Sequence, residues 1–153
     1  MTTSPDRTRI EFPGISSRAW EHPADRAALV TLRTLKGFDT VLRTVSGLLR
    51  ERQHRLMYLA TSIRVDERQF PDLDDLLRDC VQILGADETP ELFVFQSPAV
   101  NSFTIGMDKP FIVVTTGLLD VMNYEEQRFV IGHELGHALS GHAVYRTILL
   151  HLM

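Results

Sequence analysis

The sequence has a single cysteine, Cys80, in 153 residues. No disulfide can form within the chain, which fits a reducing compartment. Cys80 lies at helical spacing among Leu76, Leu77, Val81 and Leu84, a setting for a small buried thiol rather than a nucleophile. The first ten residues, with Asp6, Arg7 and Arg9, lack the apolar stretch of a signal peptide. No uninterrupted apolar run reaches bilayer-spanning length; the nearest is Ile148-Leu149-Leu150-His151-Leu152-Met153. Excess positive charge is also missing. A net charge of -4 argues against nucleic acid as the main partner, because phosphate binding needs a basic face. There is no internal repeat and no low-complexity tract.

What is there suffices for one compact domain: 44% of the residues are apolar and 24% charged. Residues 1–22 carry Pro5 and Pro13 and read as a flexible lead, and residues 23–153 as the folded part. Helical patterns run over about 23–35 and 39–53, with Arg43, Arg50, Arg52 and Arg55 on a solvated face. Met57 to Val65 reads as extended. Pro71 suits a first helical turn, Asp72, Asp74 and Asp75 suit its positive end, and Gly85 suits its stop. Leu92–Phe95, Phe103–Met107 and Phe111–Thr115 read as strands, with a turn at Asp108-Lys109-Pro110. A short helix near Gly117–Met122 and a longer one from Tyr124 follow. Helices, a small and mainly antiparallel sheet, then helices again make the fold class α+β.

The chemistry is concentrated in His133-Glu134-Leu135-Gly136-His137. A helix turns about 100° per residue, so His133 and His137 share a face one turn apart. Two imidazoles so placed are zinc ligands, and Glu134, about 100° round, is placed as a general base rather than a ligand. With 6 His and 9 Glu in the chain, about 0.01 matches to this pattern arise by chance. The alternative is two surface histidines beside a solvated Glu. Ile131, Leu135, Ala138 and Leu139 fall on the opposite face, as for a helix packed on a core. Gly132, Gly136 and Ser140 form a small-residue stripe, open to plain helix packing or to shaping a cleft.

Other histidines fit the site less well. A metzincin-type third ligand would fall at Ala143, one residue past His142. On a continuous helix His142 points about 180° from His133. His151 returns to the right side but lies about 27 Å along.

Three stretches carry a family resemblance: Asn101-Ser102-Phe103-Thr104-Ile105-Gly106, Phe111-Ile112-Val113-Val114-Thr115-Thr116-Gly117-Leu118-Leu119, and Val130 to His142. Over about its last third the chain resembles the HtpX-like zinc metallopeptidases, gluzincins related to the CAAX prenyl endopeptidases. The resemblance implies a zinc-dependent metalloendopeptidase acting on protein or peptide substrates. His133 and His137 would bind one Zn2+, with Glu134 as the base. The strand bearing Asn101, Phe103 and Thr104 would lie at the cleft edge and pair with substrate. In such enzymes a Glu from a later helix is the third ligand, so that ligand is expected beyond Met153. The resemblance also implies a cytoplasmic catalytic domain and leaves room for membrane association through segments beyond residue 153. The competing reading is a catalytically silent peptide-binding or chaperone-like domain that keeps the zinc motif.

Overall fold

The computed structural model describes residues 10–16, 19, 27, 30, 31, 34, 51–106 and 109–140. Most of the two helices expected over 23–35 and 39–53 lies outside them, as do Asp108, His142, His151 and the run from Val144. The first described helix, α1, is Glu51–Thr61, and β1 follows directly as Ser62–Arg64. The extended segment expected from Met57 is therefore helical for its first five residues. Tyr58 alone anchors this stretch, packing against Phe95, Phe103 and Phe111 while Leu56, Met57 and Leu59 stay exposed. Over residues 55–61 Tyr58 is the one apolar side chain turned inward, so no apolar stripe marks this stretch. Arg55, expected on a wet face, is half-buried and pairs with Glu91.

Helix α2, Pro71–Leu84, has the ends that its sequence encodes. Pro71 fills the first turn, where a missing N–H costs nothing. Gly85 takes a left-handed conformation, φ 60°, and its N–H reaches the Gln82 carbonyl. A side chain there would also press on the N-terminal segment, since a Cβ would stand 2.8 Å from Phe12 O. That segment crosses the end of α2, with Phe12 N–H donating to Ile83 O at 2.9 Å.

Three more strands complete the sheet: β2 (Leu92–Phe95), β3 (Ser102–Ile105) and β4 (Phe111–Thr115). The order is β1-β2-β4-β3. β1 and β3 pair antiparallel with their neighbours, and β2 and β4 pair parallel. The sheet is thus mixed, with two of its three pairings antiparallel, and β3 is an outermost strand. Alternation along the strands builds two cores. Leu92, Val94, Ile112 and Val114 face α2 and the last helix, with Leu76, Leu77, Cys80, Ile131 and Leu135. Phe93, Ile105, Phe111 and Val113 face the other way, towards Tyr58. Each such buried Leu, Ile or Phe contributes about 1.5–3 kcal/mol.

After β4 come α3, Thr116–Val121, and α4, Tyr124–Ser140. Asn123 caps α4. Its Oδ1 accepts from the N–H groups of Glu125 and Glu126 at 3.0 and 3.1 Å, and Glu126 Oε2 accepts from Asn123 N–H at 2.8 Å. This reciprocal arrangement satisfies two free donors of the first turn and that of Asn123 itself. An Arg128–Asp79 ion pair at 2.8 Å and a 3.7 Å approach to Cys80 Sγ at Gly132, measured from where a Cβ would stand, set α4 on α2. Part of the small-residue stripe thus serves helix packing. Ile131 and Leu135 are buried as expected, but Leu139 is 37% exposed and shares the wall of an open cavity with Ala138 and Pro110. Among the described residues no helix is long and apolar enough to cross a membrane.

Candidate active site

The third and fourth turns of α4 bring His133 and His137 together. Their Nε2 atoms stand 3.0 Å apart, and the rings meet edge to face, with centroids 4.5 Å apart. Nitrogens this close can share one ion at the usual zinc–nitrogen distance of about 2.0–2.1 Å. The donor set therefore suits zinc: two imidazoles, on a rigid helix, with converging nitrogens. Among the described residues no third His, Cys, Asp or Glu completes a metal cluster. His133 is exposed, and Phe129, one turn earlier and 75% exposed, stacks on its ring at 6.5 Å.

Glu134, the residue after His133, is buried and only 4% exposed. Two hydroxyls from β3 meet its carboxylate. Ser102 Oγ donates to Oε1 at 2.7 Å, and Thr104 Oγ1 donates to Oε2 at 2.8 Å. Thr104 Oγ1 also lies 3.0 Å from the Glu134 carbonyl oxygen, so its one proton is shared between them. A carboxylate withdrawn from water without donors would be costly, and these hydroxyls replace the lost water.

β3 therefore carries the anchor for Glu134 and, with Asn101 just before it, the three positions expected to face substrate. Asn101 is exposed at its start. Phe103 points to the aromatic side of the sheet, 5.8 Å from Tyr58. Thr104 is 1% exposed and is engaged with Glu134.

The position of β3 is set by the junction of β4 and α3. Thr115 Oγ1 donates towards Ala99 O and Asn101 O, at 2.5 and 2.9 Å, and accepts from Asn101 N–H at 3.1 Å. Thr116 Oγ1 donates to Ser97 O and accepts from Ser97 N–H. Gly117 N–H also donates to Ser97 O, and the loop lies so close that a Cβ at Gly117 would be 2.3 Å from Pro98 O. The Thr115-Thr116-Gly117 sequence is thus a lock on the loop that delivers β3. Reasoning from sequence missed this lock and missed Ser102. The available signal for Ser102 was its alternation with Thr104 opposite Phe103 and Ile105.

Known proteins resemble the chain in sequence. The chain is 34% identical over 138 residues to the plastoglobule-localized metallopeptidase 48, chloroplastic, of Arabidopsis thaliana, covering 89% of this chain and 40% of that protein. It is 36% identical over 75 residues to a protease HtpX homolog of Streptococcus pneumoniae, covering 48% of this chain and 25% of the relative. The chain therefore spans less than half the length of these relatives. The family model described as Peptidase family M48 matches residues 67–153, which include β2 to α4 and the paired histidines. With more than half of its residues in that match, this chain belongs to peptidase family M48.

Proposed function

We propose that this chain supplies the zinc-binding and proton-transfer groups of a metalloendopeptidase. The observation that carries the reading is the pairing on α4 of two converging imidazoles with an adjacent buried carboxylate anchored to an edge strand. His133 and His137 would hold the ion, and the remaining protein ligand would come from outside the described residues. Zinc bound there supplies Lewis acidity towards the scissile carbonyl and the attacking water. Glu134 takes a proton from that water and returns it to the leaving amine. Its carboxylate has about four acceptor positions, and two hydroxyls occupy two of them, so acceptor capacity remains.

Peptide would bind by adding to β3, the outermost strand, through main-chain hydrogen bonds. In this arrangement Thr104, with Ser102, offers main-chain groups turned away from β4, while Asn101, bonded to Thr115, and Phe103, paired with Val113, hold the strand in place. Protein or peptide substrates follow from that mode of binding. The same reading takes the catalytic domain as cytoplasmic, or as membrane-associated and facing the cytoplasm. The test is chelation of the active protein followed by readdition of zinc. Cleavage of an unfolded protein substrate should disappear and return; cleavage that survives exhaustive chelation would remove the metal from the reaction.

A further inference from the structure

The sheet face turned towards α2 and α4 is apolar except on one strand. β2 and β4 present Leu92, Val94, Ile112 and Val114 there, all buried. β3 presents Ser102 and Thr104, in register with Val114 and Ile112. Apolar residues at these two positions would extend the core. Hydroxyls stand there instead, and both bond to Glu134.

We propose that Ser102 and Thr104 are positioning residues that fix the Glu134 carboxylate and tie it to the substrate-binding strand. The proposal rests on the reading of Glu134 as the base. One donor to each oxygen fixes both the place and the rotation of the carboxylate plane, whereas a single donor would let the group swivel. Both donors come from one strand, two residues apart. A peptide paired with β3 is then held by the same backbone that holds the base, so strand register sets the distance from base to scissile bond. Misplacement of a reacting group by about 1 Å can cost on the order of 100-fold in rate.

Peptide cleavage by zinc-loaded active protein tests this in Ser102→Ala and Thr104→Val, with Ser102→Thr and Thr104→Ser as variants that keep the hydroxyl. The expected result is a kcat lowered about 10- to 100-fold in the first pair, with KM and zinc content held, and kcat within a few-fold of the parent in the second. An unchanged kcat in Ser102→Ala and Thr104→Val would overturn the proposal. So would a raised KM with kcat unchanged, since the hydroxyls would then serve substrate binding. Thr104 is deeply buried; if its Val variant does not fold, the half-buried Ser102 decides the matter.

A readout without metal or activity is a double-mutant cycle in urea unfolding, combining Ser102→Ala with Glu134→Ala. Non-additive effects are expected, and additivity overturns the proposal. Glu134→Gln assayed in parallel separates the levels. If it is inactive while Ser102→Ala and Thr104→Val are fully active, only the positioning role falls. If it is active, the base assignment falls and takes the positioning role with it.

Discussion

Gly117→Ala is the smallest change that reaches the site from outside it. The added Cβ would stand 2.3 Å from Pro98 O, 2.6 Å from Pro98 C and 2.8 Å from Ala99 O, where ordinary contact begins near 3.4 Å. The obstacle is backbone, so no rotamer change relieves it, and the loop must retreat by about 1 Å. Overpacking of this kind costs about 1–3 kcal/mol. Weakening the Gly117 N–H to Ser97 O bond, 2.9 Å long, adds about 1 kcal/mol. Alanine's better helix propensity returns up to about 1 kcal/mol. The balance is a loss of about 1–3 kcal/mol, readable as a lowered urea midpoint at unchanged slope. The same retreat moves the loop that leads through Asn101 to Ser102, so cleavage should fall further than the folded fraction does. A Gly117→Ala protein as stable and as active as the parent would refute the idea that this junction sets the position of β3.

Leu135→Ala should cost about 2–5 kcal/mol in urea unfolding, because Leu135 is fully buried against the sheet, while Leu139→Ala should cost under about 1 kcal/mol. Equal costs would contradict the two-sided packing of α4. Burial among Phe95, Phe103 and Phe111 pushes the Tyr58 hydroxyl above its ordinary value of 10.0. The unfolded chain then loses this proton first, so the stabilising contribution is complete below pH 10 and lost as pH rises through the raised value. Ultraviolet difference titration should show one tyrosine ionising late, and Tyr58→Phe should abolish that phase.

Local rules made much of the fold legible. Pro71 and Gly85 mark the ends of α2 because each has a backbone preference that acts without tertiary context. The β2 and β4 strands are apolar runs flanked by turns, and their observed bounds, Leu92–Phe95 and Phe111–Thr115, are those the sequence pattern predicts. α1 was not legible beyond Met57, since only Tyr58 faces inward there and the outward residues are apolar too. The parallel contact of β2 with β4 joins strands separated by β3, and no local signal encodes it. At the site, helical spacing was enough to place His133 beside His137, because one turn of helix fixes their separation. The depth of Glu134 was not legible. Its burial depends on hydroxyls delivered from 30 and 32 residues earlier in the chain. Their arrival depends in turn on the Thr115-Thr116-Gly117 lock, whose partners are mainly backbone groups.

On the proposed function, α4 divides the labour, with His133 and His137 for metal and Glu134 for the proton. Zinc content and peptide cleavage measured on one preparation of Glu134→Gln address it most directly. The amide keeps the shape of the side chain and leaves both imidazoles in place, so bound zinc should equal that of the parent. Cleavage should fall by at least about 100-fold, the contribution expected of a positioned general base. Cleavage within a few-fold of the parent, or zinc lost along with activity, would contradict the division.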